Sequence, residues 1–212
     1  MKRIVLLIFI TVLHINSFAQ SKADVFNSDV ELTWLGIDFT QVHFIGTAAQ
    51  WQDAGTITST DLRDKYFVSW NEIFVEEKAK YDVAKATNRT LIKYNIDVTA
   101  SANGKSDKDY FVDDPGSFRH MDADKVAKLG AGYNFKGAKG VGMMFVVEGM
   151  HKEAKKASMW VVFVDMATKK VLLSKQVEGA AGGFGFRNYW AKAFLNGLKE
   201  VDNNFDKWKK VK

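Results

Sequence analysis

The segment Glu178–Phe194, EGAAGGFGFRNYWAKAF, sets three glycines within Gly182–Gly185 ahead of an arginine and several aromatics. Glycine turns that run into helices can hold phosphates on backbone amides. The dinucleotide fingerprint requires G-x-G-x-x-G between a strand and a helix. Gly183-Phe184-Gly185 begins that pattern, but Asn188 stands where the third glycine belongs. Bulky Trp190 also sits where close approach is needed. Asn103–Ser106, NGKS, ends like a P-loop, yet Thr99 occupies the position of the required first glycine. Neither motif predicts a nucleotide site. A helix N-terminus with Arg187 beside it remains, and that combination suits a small anion. The simpler reading is that the glycines let the chain turn sharply into the last helix.

Other chemistry is sparse. His43, His120 and His151 lie far apart in sequence, none with a partner at helical ligand spacing. His120 precedes Asp122 and Asp124, but the glycine of a calcium loop is missing, and Asp there predicts a helix cap. His151 is expected to be solvated in a lysine-rich hairpin, and His43 to face out of a strand. No G-x-S-x-G elbow is present, and with no cysteine there is no thiol nucleophile or thiolate metal site. Glu148 and Asp165 close apolar strands, a position typical of turn formers. No catalytic residues, metal or other cofactor are expected. Among six tryptophans, Trp51 in AAQWQDAG falls in an apparent loop. Exposed there, it would stack on a sugar or anchor a partner. The sequon Asn88-Arg89-Thr90 reads as coincidental.

The elements that position these residues follow from periodicity. Val30–Gly46 predicts a first strand with a break at Gly36. Ser59 or Thr60 caps a helix running to about Val83, with Leu62, Tyr66, Phe67, Trp70, Ile73 and Phe74 on one face. Thr90–Ala100 alternates, with Ile92, Tyr94, Ile96 and Val98 on one side, which predicts a strand with a wet face. A short helix is expected from Met121 to Gly130. Val141–Glu148, Ser158–Asp165 and Val171–Val177 read as three strands joined by hairpins. Phe186, Trp190, Phe194, Leu198, Val201, Phe205 and Trp208 form one stripe of a long final helix. The expected class is α+β, a two-layer α/β domain with the order β-α-β-α-β-β-β-α. Its single sheet of about five strands carries helices packed on it.

The first nineteen residues read as a secretory signal. Lys2 and Arg3 precede an apolar run from Ile4 to Leu13, and small residues follow at Ser17 and Ala19. Cleavage after Ala19 would leave residues 20–212 as one domain with a short basic tail. The run is shorter than the roughly 20 residues of a membrane span, and no later segment resembles one. Losing Lys2 and Arg3 takes the 30 basic residues to 28 against 25 acidic, so the net charge falls from +5 to +3. These charges are interspersed, which argues against a nucleic-acid partner.

The C-terminal half carries a resemblance. A buried strand ends in FVVEG, the hairpin VDMATKKVLLSKQVEG follows, and glycines lead into an amphipathic helix. Together these resemble the small periplasmic α/β domains of the TolB N-terminal, LpoB and CsgG type. Asp165, Thr168, Val171 and Leu172 match their D-x-x-T-G-x-V-L hairpin, with Lys169 in place of the glycine. The match covers Gly140–Asp202. GFGFRNYW and the FAQ at the end of the signal also resemble exported proteins of Bacteroidetes-type bacteria. The resemblance implies a non-catalytic role in envelope assembly or protein contact, and the expected partner is an envelope protein or a glycan. The expected contact residues are Gly183, Phe184, Gly185, Arg187 and Asn188 in the glycine loop, Trp51, and Lys152 and Lys155 in a hairpin. The Thr90–Ala100 strand is a candidate edge for an added partner strand. The alternative is a small-ligand or anion-binding protein that uses the N-terminus of the last helix.

Overall fold

Val141–His151 is buried at every position but the last, as a continuous apolar run demands of a strand covered on both faces. In a computed structural model that describes residues 19–46, 51 and 57–210, this strand is the spine of the sheet. The leader expected over 1–19 lies almost wholly outside the described residues, as does the very end of the basic tail.

The strands are β1 (Leu32–Asp38), β2 (His43–Ile45), β3 (Lys93–Tyr94), β4 (Phe111–Val112), β5 (Val141–His151), β6 (Lys156–Asp165) and β7 (Val171–Ala180). The helices are α1 (Lys22–Val25), α2, α3 (Val83–Ala86), α4 (Asp97–Asn103), α5 (Ala123–Gly132) and α6 (Phe186–Lys210). Helix α2 joins Ser59–Asp61, a π-type turn Leu62–Tyr66, and Phe67–Glu76. On one edge β5 pairs in parallel with β1 along its first half and with β2 near its end. On the other edge it begins the antiparallel meander β5-β6-β7. β3 and β4 extend the parallel side beyond β1 and β2. The mixed α/β class and the three C-terminal strands agree with the sequence reading.

Alternation along β5 divides the core. Met143, Phe145 and Val147 pack with Trp70 and Phe74 of α2 and Trp190, Phe194 and Phe205 of α6. Met144 and Val146 face the other way, onto Leu35, Val126 of α5, Tyr133 and Phe135. The first face is aromatic. Phe39 stacks on Phe67 at 4.2 Å, and Trp34 on Phe74 at 4.7 Å. Such pairs add about 1 kcal/mol beyond the area they bury.

β1 departs from an ordinary strand after Trp34. Its outer edge meets β3 only at Thr33 and Trp34. Beyond that, side chains take the place of a strand. Thr99 donates its hydroxyl to the Leu35 carbonyl at 2.7 Å. Asn71 accepts from the Ile37 amide at 2.7 Å and donates to the Ile37 carbonyl at 3.0 Å. Asn103 donates to the same carbonyl at 2.9 Å and accepts from the Phe39 amide at 2.7 Å. All three side chains belong to buried residues. Gly36 lies among them with φ +96°, where a Cβ would sit 2.3 Å from both Asn71 Oδ1 and Thr99 Oγ1.

This network explains the main correction. Thr90–Ala100 is not a strand with a wet face. Only Lys93 and Tyr94 pair, and Asp97–Asn103 is helix α4. Coiling the chain there places Thr99 and Asn103 one turn apart, both against β1, so the proposed partner-binding edge does not exist. Two further expectations shift. The first strand breaks into β1 and β2, with the register changing around Gly36. Helix α2 is capped by Thr58, reciprocally with Asp61, and ends at Glu76 instead of Val83. Lys169 takes φ +63°, the left-handed conformation that glycine would occupy in the D-x-x-T-G hairpin.

Two substitutions test this account by urea denaturation. Gly36→Ala is expected to cost about 3 kcal/mol or more, because strain and a clash with buried polar groups act together. Lys169→Gly is expected to raise stability by about 0.5–1 kcal/mol by relieving the left-handed residue.

Candidate functional site

The glycine turn opens α6 at one end of the molecule. Gly183 and Gly185 have φ of +107° and +77°, which only glycine adopts without strain. They hold Phe184 between them with 95% of its surface exposed. The turn is anchored at its base, where the Gly182 amide donates to the Tyr189 carbonyl at 3.0 Å and the Ala181 amide to the Lys155 carbonyl at 2.7 Å. That second bond stitches the glycine loop to the β5–β6 hairpin. Lys152 in the hairpin holds its ammonium over the Tyr189 ring at 5.1 Å and the Trp51 ring at 5.8 Å. Lys155 is exposed. The structure therefore brings the two predicted contact segments side by side.

Two of the predicted residues, Trp51 and Arg187, take other roles. Trp51 is not an exposed loop residue. It is 5% exposed, stacks on Trp190 at 5.7 Å, and donates its indole N–H to the Gly46 carbonyl. Its polar sequence neighbours hid an apolar floor made by Phe44, Phe111 and Phe186. Arg187 donates from Nε to Ser69 Oγ at 3.1 Å, and its carbonyl accepts from the Trp70 indole at 2.9 Å. It ties α6 to α2 through Nε. Asn188 is exposed and accepts weakly from Arg187 at 3.4 Å. Phe186 enters the aromatic core, 4.8 Å from Tyr66.

His43, His120 and His151, far apart in sequence, converge on one ring. Phe118 meets His43 at 6.1 Å, His120 at 5.1 Å and His151 at 5.0 Å. His151 is half-buried instead of solvated, and His43 is half-buried too. Burial, with Lys108 adding to it, holds His43 below the usual imidazole range, and burial with Lys156 does the same for His151. Among the described residues no three metal-ligating side chains are grouped to hold an ion.

Two buried carboxylates lie on the α5 side of the sheet. Glu148 accepts from the Met121 amide at 2.8 Å, the Trp160 indole at 3.1 Å and Gln176, while His120 Nδ1 lies 2.6 Å from its Oε1. Burial opposes its charge, but these bonds outweigh burial and hold the carboxyl below the usual glutamate range. Its place at the end of an apolar run signalled partial burial, whereas its partners come from separate segments that no local pattern links. Asp38 ends β1, bonded by the Tyr133 hydroxyl and, at 2.5 Å, by the Thr40 amide. Here burial prevails and pushes the carboxyl up. Lys108 stands nearby, its ammonium brought down to about 8 by burial and by Lys125. The sequence reading missed Asp38, Tyr133 and Lys108. Asp38 closing LTWLGID was the one available signal, the same as for Glu148. Asp165 is a turn former as expected, accepting from the Thr168 hydroxyl and the Ala167 amide.

Comparison with protein-family models, curated proteins and solved structures yields no match.

Removing Glu148 tests its network. Glu148→Ala is expected to cost about 3 kcal/mol at pH 7, because it strands the Met121 and Trp160 donors. A depressed carboxyl contributes stability that is complete above its unfolded value, near 4.5, and is lost as pH falls through the folded value. Urea denaturation at pH 7 and pH 3 should therefore show a smaller difference between the variant and the parent at the acid pH.

Proposed function

We propose that this protein is an exported, non-catalytic interaction module of the cell envelope. Its partner is an envelope protein or a glycan, and it docks at the end formed by the glycine loop and the lysine hairpin. The observation that carries this reading is Phe184, almost wholly exposed on a turn fixed by two left-handed glycines. A large apolar side chain held out in this way resembles the aromatic anchors that dominate binding energy at interfaces. Its surroundings suit a partner with an anionic rim. From Gly179 to Lys199 the chain has no acidic residue but carries Arg187, Lys192 and Lys199. The adjoining hairpin adds Lys152, over the Tyr189 and Trp51 rings, and Lys155 and Glu153, both exposed. The export signal and the resemblance of Gly140–Asp202 to periplasmic assembly domains point to the same class of role. Among the described residues no helix is long and apolar enough to cross a membrane. The alternative is a small anion on the α6 N-terminus beside Arg187, whose Nε is bonded to Ser69.

A photo-crosslinking phenylalanine analogue at position 184, expressed in the native envelope, should give one dominant adduct. Phe184→Ser should weaken binding to that partner by about tenfold or more, as for a hot-spot residue, with circular dichroism unchanged. Lys155→Glu should weaken it less. Equal capture by the Phe184→Ser variant would overturn the contact reading, and turnover of any substrate in a hydrolase panel would overturn the non-catalytic one.

A further inference from the structure

The path of the chain creates a crevice away from the glycine loop. β1 lies between β3 and β5. From β1 the chain first forms β2, which pairs with β5 further along, and then reaches β3 by way of α2 and α3 on the aromatic face. From β3 it forms α4 and β4, which pairs with β2, and then reaches β5 by way of α5 on the opposite face. β1 leaves the sheet at Asp38, opposite Val146, before β2 resumes the pairing with β5 at Gly149.

The carboxyl end of β1 is Asp38, and a cavity of about 380 Å³ opens there. That volume falls within the range of small-molecule sites. Its base is the Asp38–Tyr133 pair, with Thr40 beside it, and Ala102 and Leu129 give it an apolar wall. Lys125 and Lys128, one turn apart on α5, stand at its rim. Neither lysine forms an ion pair with a described residue. Lys108 lies close to both Lys125 and Asp38, so its charge is shared with that carboxylate. The carboxylate present, Asp38, is deeply buried and already bonded by Tyr133 and Thr40. It is poorly placed to neutralise the rim. Converging cations over an apolar wall, with two hydroxyls at the base, make a receptor that lacks its negative charge.

We infer that this crevice binds a small anion with a short apolar body, a carboxylate or a phosphate monoester. The anionic group sits at Lys125 and Lys128, the body lies against Leu129 and Ala102, and the Tyr133–Asp38 pair and Thr40 meet its polar substituents. The site shares no residue with the glycine-loop surface, so the two readings stand or fall separately.

Benzoate and phenyl phosphate are the probes, titrated into the purified mature chain by calorimetry and by amide NMR. At least one should bind saturably, with shifts concentrated at Thr40, Lys125, Leu129 and Gly132. Preference for benzoate assigns the carboxylate, and preference for phenyl phosphate assigns the phosphate ester. The paired substitutions Lys125→Gln and Lys128→Gln, at exposed positions, should weaken binding about tenfold or more while leaving the unligated Tm unchanged. Lys125→Glu with Lys128→Glu should abolish it. Failure of both probes to saturate up to roughly 10 mM, or binding that is indifferent to the glutamine pair, would overturn the inference.

Discussion

A strand needs partners on both edges, and for much of its length β1 has a strand on only one. Asn71, Thr99 and Asn103 supply the missing edge with side-chain amides and a hydroxyl. Each buried amide or carbonyl left unpaired at Leu35, Ile37 and Phe39 would cost on the order of 1–3 kcal/mol. The three side chains therefore fix more than their own neighbourhood. Asn71 holds α2 to the sheet and Thr99 and Asn103 hold α4 there, while Gly36 provides the bare backbone that lets all three approach. Where β1 finally leaves the sheet, it delivers Asp38 to the crevice. The position of α2 in turn sets Ser69 and Trp70 against Arg187, which seats the start of α6 and the glycine turn above it.

The two candidate surfaces use opposite physical strategies. At the glycine loop an apolar group is held out in water on a turn fixed by two left-handed glycines, with cations around it. Such a surface gains by excluding water when a partner covers it. At the end of β1 the polar groups are buried and the cations converge on a concavity. A ligand there gains from charge compensation at the mouth of a concavity, which favours a small, specific occupant over a broad interface.

Much of this fold was legible in the sequence because its strongest signals are long and local. β5, β6 and β7 are apolar runs separated by short polar turns, and the stripe from Phe186 to Trp208 spans one uninterrupted helix. Thr90–Ala100 failed because Ile92, Tyr94, Ile96 and Val98 alternate by accident of burial. Ile92 and Val98 enter different clusters on opposite faces of the sheet. What decided the conformation was hydrogen bonding to a strand some sixty residues earlier. Trp51 was misplaced for a related reason, since its apolar surroundings come from β2, β4 and α6. Of the candidate sites, the glycine loop was visible because its residues are contiguous. The crevice was not, because Asp38, Lys108, Lys125 and Tyr133 meet only after two crossovers.

The double role of β5 has a consequence for the order in which the chain can fold. The meander from β5 to β7 needs only neighbouring segments, so it can close early. β1 and β2 must wait for β5, because both lie in register against it. A chain that emerges N-terminus first therefore presents Trp34, Phe44 and the aromatic face of α2 before the strand that receives them has appeared. For that interval its most adhesive surface is open to any passing chain. Assembly completes from the back of the sequence toward the front, so a lesion in Val141–His151 would leave the first half of the protein with no sheet to join.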